Sequence, residues 1–302
     1  MCKVKFLTLD YAKIYMFFFS KSLIAMKHTL KITLLLTFLF FLSHFIGLFV
    51  VQYYLPAESS LPLGIEKPQF SEETSYLPIG IALLIATLLA LVLVKFQAYR
   101  LWKLWFFLSI LLTLSIAFNA FLPQSLALAL ALLFAFLKIF KPHVLIHNLG
   151  ELFIYGGLAA LFVPVLNILS ALILLVLISV YDMIAVWKTK HMLALAQFQS
   201  KNKVFAGLNV PYHLEVGRKV RGKKKKVSVE QAMLGGGDIG FTLLFSGVIL
   251  KIYGFESALF VSLITTLSLL LLFVFAEKKK FYPAMPFLSA GCALGYLILL
   301  LF

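Results

Sequence analysis

Two aspartates stand inside long apolar stretches of the chain, Asp182 next to Tyr181 and Asp238 after three glycines. A charged side chain at membrane depth costs at least about 2.5 kcal/mol, so an ionisable residue there indicates a function. Two carboxyl groups in close contact share one proton, because both cannot ionise cheaply. The ionised member can then take a proton from water while the protonated member donates to a peptide carbonyl. The two residues therefore predict peptide hydrolysis by an aspartate pair, with no metal and no cofactor.

The elements that must hold these residues are membrane helices. The 302-residue chain has a mean hydropathy of +1.02 and is 62% hydrophobic, whereas soluble domains are about 45–50% apolar. Many apolar runs approach the roughly 20 residues that cross a bilayer. The runs are continuous rather than alternating, which argues against a β-barrel. We predict an all-α, polytopic membrane protein.

The apolar runs divide the chain into spans and loops. Nine transmembrane helices are predicted, at residues 32–54, 77–96, 101–121, 124–140, 145–163, 165–187, 229–253, 256–276 and 283–302. One membrane-embedded domain, residues 1–302, would then consist of a basic N-terminal segment (1–31), six spans (32–187), a long basic loop (188–228) and three spans (229–302). The first part of this segment, residues 1–27, either lies at the membrane interface or includes upstream residues that precede a true start at Met26.

Basic residues follow the predicted loops of one side. The segments assigned to the inside hold every Lys and Arg except Lys67 and Lys251. The positive-inside rule then puts the N-terminus in the cytoplasm and the C-terminus outside. The net charge of +15 is therefore read as an orientation signal and not as a nucleic-acid surface. Loop 188–228 is either a solvated tether or a cover that contacts anionic lipid and gates the site.

The positions of the two aspartates within their spans predict equal depth. Asp182 lies five residues before Trp187, and Asp238 lies eight residues after Glu230. At about 1.5 Å of rise per residue, both would lie roughly 8–12 Å below the cytoplasmic boundary. Two antiparallel neighbouring helices can then bring the carboxyl groups together.

A glycine cluster precedes the second aspartate, formed by Gly235, Gly236 and Gly237. Small residues let membrane helices pack closely. Glycine also permits local unwinding and the close approach of another backbone. Beside an aspartate at this depth, we favour the second interpretation.

A proline element, Pro283-Ala284-Met285-Pro286, begins the last span. Proline is ordinary in the first turn of a helix. Two prolines around two residues also make the backbone stiff and remove N–H donors. Such a segment suits a fixed wall beside a peptide-binding cleft.

These three elements, in this order and at these depths, resemble the presenilin and signal peptide peptidase family of GxGD intramembrane aspartyl proteases, and most closely its archaeal presenilin-like members. The resemblance covers most of the chain and implies catalytic roles for Asp182 and Asp238. It also implies support of the active site by Tyr181, Gly235, Gly236 and Gly237, and substrate binding by Pro283, Ala284 and Met285. Gly236 and Met285 depart from the family pattern, which usually has Leu at both positions.

The expected activity is hydrolysis of transmembrane segments of other proteins that enter laterally from the lipid. The expected partners are substrate helices and membrane lipids, without nucleic acid or metal. One alternative is a prepilin-type GxGD peptidase, against which the proline element and the long loop argue. The other is a proton- or ion-coupled transporter that uses the same acids.

Overall fold

A computed structural model describes residues 29–56, 61–68, 71–189, 195, 198–199, 205–215, 227–276 and 282–301. Within these ranges the chain forms nine α-helices and one β-hairpin, and the all-α, nine-helix membrane fold is confirmed. The helices are α1 (Leu30–Tyr54), α2 (Tyr76–Lys95), α3 (Tyr99–Asn119), α4 (Gln124–Phe140), α5 (Val144–Phe162), α6 (Ile168–Met183), α7 (Gly236–Tyr253), α8 (Phe255–Phe275) and α9 (Met285–Leu299). The strands are β1 (Gly207–Glu215) and β2 (Val227–Gly235).

Seven of the described helices are long and apolar enough to cross a membrane, while α4 and α9 are shorter, with 17 and 15 residues. The helices α5 and α6 are separated at Pro164, as predicted, by the 3₁₀ turn Val163–Val165. Asn167 then begins α6, because its side chain accepts a 2.8 Å hydrogen bond from the Ser170 N–H. This capping interaction satisfies a backbone donor that has no partner within the helix.

Helix α7 lies at the centre of the bundle. It packs against α1, α5, α6, α8 and α9, and its side chains are buried almost continuously from Asp238 to Leu250. In contrast, α2 buries only Ile79 and has few contacts, mainly with α6 and α3. The aspartate of α7 is therefore fixed by packing on several sides, whereas one side of α6 is covered only by a loosely packed helix.

The seventh span begins later than predicted, because residues 229–235 are strand and not helix. Strands β1 and β2 pair antiparallel, with Gly207 opposite Gly235. The strand shows the expected period of two, since Gln231 and Met233 are exposed while Ala232 and Leu234 are buried. Pairing with β1 satisfies the backbone groups of this segment.

Strand β1 lies within the loop predicted at 188–228, and β2 begins at the last two residues of that loop. The basic centre of the loop, residues 216–226, lies outside the described residues, as do 1–28 of the predicted N-terminal segment. The tether and cover interpretations of this loop therefore stay predictions.

The two basic residues that departed from the charge pattern bind helix ends. Lys67 donates to the carbonyl oxygens of Tyr54 and Pro56 at 2.9 and 3.0 Å, at the end of α1. Burial lowers the pKa of Lys67 below its ordinary value. Lys251 donates to the Pro164 carbonyl oxygen and to Glu72, both at 2.9 Å. Both lysines therefore satisfy carbonyl groups that helix ends leave without partners.

Candidate active site

Asp182 lies in the last turn of α6, directly before the π-helical turn Ile184–Lys188. Such turns are frequent at functional sites. The side chain is buried, with 6% of its surface exposed. Its Oδ2 accepts a 3.1 Å hydrogen bond from the backbone N–H of Met285. Met285 is the first residue of α9, so the Asp182 carboxyl group lies at the positive end of that helix dipole.

Asp238 is the third residue of α7 and is 8% exposed. The backbone N–H of Gly235, the N-cap residue, donates to its carboxyl group, as the acidic residue of a capping box accepts. Asp182 lies close enough for the charges of the two carboxyl groups to interact. Neighbouring helices thus bring the predicted pair together in one buried place.

Residues 230–235 belong to β2 and are extended, so the helical rise predicted from Glu230 to Asp238 is wrong. Asp238 therefore lies in the first turn of α7, directly after the hairpin. The backbone amides of that first turn have no partners within the helix, and this places a helix N-terminus at the second carboxyl group as well.

The three glycines differ in their surroundings. A Cβ at Gly235 would lie 3.1 Å from Asp238 Oδ2, and a Cβ at Gly236 would lie 2.6 Å from the Tyr155 hydroxyl oxygen. A Cβ at Gly237 would make only ordinary contacts with Phe241, the nearest at 3.7 Å. An added methyl group would therefore crowd Asp238 at the first position and Tyr155 at the second. Gly237 is exposed and has room for one.

The proline element lies directly beside Asp182. Pro283 and Met285 are buried, and Ala284 is half-buried as the N-cap residue of α9. One turn further along α9, Ser289 meets Ser179 of α6 with 2.8 Å between the hydroxyl oxygens. The element thus contacts the site through its main chain and is held there by packing of α9 on α6.

Tyr181 is half-buried and faces α2. Its hydroxyl oxygen lies 3.5 Å from Thr87 Oγ1, at the limit of hydrogen-bond distance. Tyr181 therefore lies on the side of α6 that the loosely packed helix α2 covers.

A buried polar group lies next to the pair and is here called the Glu151 cluster, formed by Lys138, Glu151 and Tyr155. Glu151 stands out in the sequence as an acid within a span, but its partners could not be predicted from the sequence. Lys138 Nζ and the Tyr155 hydroxyl each donate to the Glu151 carboxylate. Lys138 was assigned to a cytoplasmic segment, but it lies buried on α4. An acid in the fifth span and a lysine in the unusually short fourth span were the available signals.

A second group of hydrogen bonds connects the main chain of Asp238 to α1. The Thr242 hydroxyl oxygen lies 2.6 Å from the Asp238 carbonyl oxygen and 3.0 Å from His44 Nε2. His44 Nδ1–H donates to the Phe40 carbonyl oxygen at 3.0 Å. His44 is therefore a fully satisfied buried residue of α1, and it links α1 to the helix that carries Asp238.

Known proteins resemble this chain in sequence pattern and in fold. The chain matches the family model "Signal-peptide peptidase, presenilin aspartyl protease" over residues 37–302. It does not match any curated protein sequence. A solved structure of a presenilin family intramembrane aspartate protease in space group C222 is similar with a TM-score of 0.60 and 22% identity, covering 88% of this chain and 97% of that chain. The structure described for the P2 space group gives 0.58 and 20%, covering 87% and 95%.

The structural similarity shows a shared fold. The family match covers the segments that carry both aspartates and the proline element. Neither the prepilin-type peptidase nor the transporter is favoured by these findings. Because the family model matches most of its length, the chain belongs to the signal-peptide peptidase and presenilin family of aspartyl proteases.

Proposed function

We propose that Asp182 and Asp238 are the catalytic pair of this intramembrane aspartyl endopeptidase. The observation that carries the proposal is their arrangement: two buried carboxyl groups from α6 and α7, within range of each other's charge. Backbone N–H groups at two helix N-termini face them. Such a pair holds one proton between two carboxyl groups, which is the state that hydrolysis of an amide requires.

We assign the ionised role to Asp182, because two backbone N–H groups at the start of α9, those of Met285 and Ala284, donate to its carboxyl group, whereas only that of Gly235 donates to Asp238. Asp182 takes a proton from water as the water oxygen bonds to the peptide carbonyl carbon, and Asp238 gives its proton to the carbonyl oxygen. The tetrahedral diol then collapses: Asp182 gives the proton it took from water to the amine nitrogen, the C–N bond breaks, and Asp238 takes a proton from one diol hydroxyl as the carboxylic acid forms. No covalent intermediate with the enzyme forms.

The substrate needs an extended segment, since a helical amide has its carbonyl engaged in the helix. The backbone N–H groups of Gly207 and Asn209 point towards α5 and not towards β2. Residues directly opposite each other in an antiparallel pair point their backbone groups either both inwards or both outwards. The backbone groups of their partners, Gly235 and Met233, therefore point away from β1, along the outer edge of β2. Nothing within the described ranges pairs with the main chain of Met233 there. We propose that an extended substrate adds a strand at this edge, which leads directly to Asp238.

We further propose that the substrates are transmembrane helices that enter from the lipid past α2, which buries little and contacts few neighbours. The charge pattern supports a cytoplasmic N-terminus and an outside C-terminus in a cell membrane. If the site has this fixed polarity, substrates should have an external N-terminus. Reporter substrates of both orientations test this, and equal cleavage of both would contradict it.

The pair itself is tested with purified protein in detergent and a transmembrane peptide. The variants Asp182→Asn and Asp238→Asn keep side-chain shape, and each should lower cleavage at least about a hundredfold, because general acid–base groups contribute that much. Thermal unfolding would confirm that both variants are folded. Glu72→Gln is the matched control, since Glu72 is an exposed carboxylate bound to Lys251. Substantial cleavage by either Asn variant removes that residue from the pair.

A further inference from the structure

The Glu151 cluster joins three elements around one carboxylate. Glu151 is 2% exposed on α5. Its carboxylate accepts from Lys138 of α4 and from Tyr155, one turn along α5. It also accepts the backbone N–H of Gly207, the first residue of β1, at 3.0 Å. Each carboxylate oxygen therefore has a donor, and one donor belongs to the hairpin that leads to Asp238.

The same face of α5 continues along the outer edge of β1. Asn148 donates to the Asn209 carbonyl oxygen at 2.8 Å and accepts the Asn209 N–H at 2.9 Å. The His147 ring Nε2 donates to the Gly207 carbonyl oxygen at 2.8 Å. Side chains of a helix thus satisfy β1 as a neighbouring strand would, and they fix its register against α5.

Tyr155 carries the restraint to α7. Its hydroxyl oxygen lies 2.6 Å from where a Cβ would stand at Gly236, and its ring carbons lie 3.1 and 3.2 Å from that point. Gly236 is the first residue of α7 and stands two residues before Asp238. The Tyr155 ring also lies 3.6 Å from where a Cβ would stand at Gly240, two residues after Asp238. Tyr155 therefore packs on the backbone that aims Asp238.

We propose that Glu151 is a positioning residue for peptide hydrolysis: through the Gly207 N–H it holds the strand residue opposite Gly235, and through the Tyr155 hydroxyl it holds the side chain that packs on Gly236, and so it fixes the place of Asp238 relative to Asp182. The inference rests on the proposed catalytic role of Asp238. If the ion pair of Glu151 and Lys138 were purely structural, apolar residues of similar volume could replace it without loss of stability. Such a replacement would then also leave kcat unchanged.

The test compares two double variants of the full chain with the wild type. Lys138→Met with Glu151→Leu removes both charges and the acceptor, whereas Lys138→Met with Glu151→Gln removes both charges but keeps an acceptor oxygen. The first should lower kcat at least about tenfold, because a small displacement of a catalytic group strongly lowers the rate. Its KM should remain within about twofold, since the outer edge of β2 is unchanged. The Gln variant should recover most of the lost kcat.

Unfolding temperature and affinity for a peptide isostere with a hydroxyl at the scissile position are measured beside turnover. Weaker isostere binding by the Leu variant than by the Gln variant, with both folded, supports positioning. Equal kcat and isostere affinity in the two variants and the wild type overturns it. Failure of the proposed function looks different, since Asp238→Asn would then still cleave.

If the Leu variant does not fold, the tyrosine contact provides a second test. Gly236→Ala should lower kcat at least about tenfold, because the added methyl meets the Tyr155 hydroxyl. Tyr155→Phe keeps the ring but removes the hydroxyl that donates to Glu151, so it should by itself lower kcat at least about threefold. Wild-type kcat in a folded Tyr155→Phe variant overturns the role of Tyr155, and with it the proposed route from Glu151.

Discussion

The backbone N–H of Met285 donates a 3.1 Å hydrogen bond to the carboxylate of Asp182. This bond joins the proline element at the start of α9 to the aspartate at the end of α6, 103 residues earlier in the chain. The contact is made by main chain and not by the Met285 side chain, which is buried in the core. The element therefore supports the proposed catalytic pair directly, in addition to any contact with substrate.

Removing that single donor should impair catalysis. Replacing the amide at Met285 by an ester deletes the N–H and keeps the side chain. Hydrogen bonds to charged groups contribute about 1.5–3 kcal/mol, so cleavage should fall at least about tenfold. Peptide cleavage and thermal unfolding are measured together. Met285→Leu keeps the N–H and the volume and should retain near wild-type activity; an ester variant as active as this control would contradict the prediction.

The glycines before Asp238 should respond differently to alanine. Gly235 has φ −64° and ψ 144°, which alanine adopts freely. Its new methyl would lie 3.1 Å from Asp238 Oδ2 and displace the carboxyl group. Gly235→Ala should therefore lower kcat about tenfold without lowering the unfolding temperature. Gly237→Ala is the control, because its methyl meets only ordinary contacts. Equal kcat in the two variants would show that the crowding has no consequence.

The link between α1 and α7 should contribute to stability. Thr242→Val keeps the side-chain shape but leaves His44 Nε2 without its partner in a fully buried place. An orphaned buried polar group costs about 1–3 kcal/mol, so the free energy of unfolding in detergent should fall by that amount. Thr266→Val is the matched control, since the Thr266 hydroxyl donates only to the Ser262 carbonyl oxygen of its own helix. Similar losses in both variants would argue against a special role for His44.

Lys251 should stabilise the end of the bundle opposite the hairpin. Lys251→Met removes donors to the carbonyl oxygens of Pro164 and Leu166, at 2.9 and 3.3 Å. The unfolding free energy should fall by about 1–3 kcal/mol while cleavage per folded molecule is unchanged. Glu72→Gln removes only the exposed ion pair and should cost less than about 1 kcal/mol. A larger effect of Glu72→Gln than of Lys251→Met would contradict this order.

The sequence alone determined the membrane fold, the helix count and the two aspartates. Hydropathy over some twenty residues is a local property, and a carboxylate within such a run is costly wherever the helix packs. Asp182 and Asp238 could therefore be identified without knowing their neighbours. The order of the three motifs also indicated the family, because each motif can be recognised in the sequence without knowledge of the fold.

Only the tertiary structure decided what surrounds the pair. The hairpin replaced a predicted helical start because strand pairing depends on a partner found at Gly207–Glu215, not on residues 229–235 themselves. Lys138 and Glu151 were assigned to different environments, and only the packing of α4 on α5 buried them together. Which donors reach a carboxylate is set by how helices distant in sequence meet. For that reason the Met285 bond and the Tyr155 contact at Gly236 could not be read from the chain.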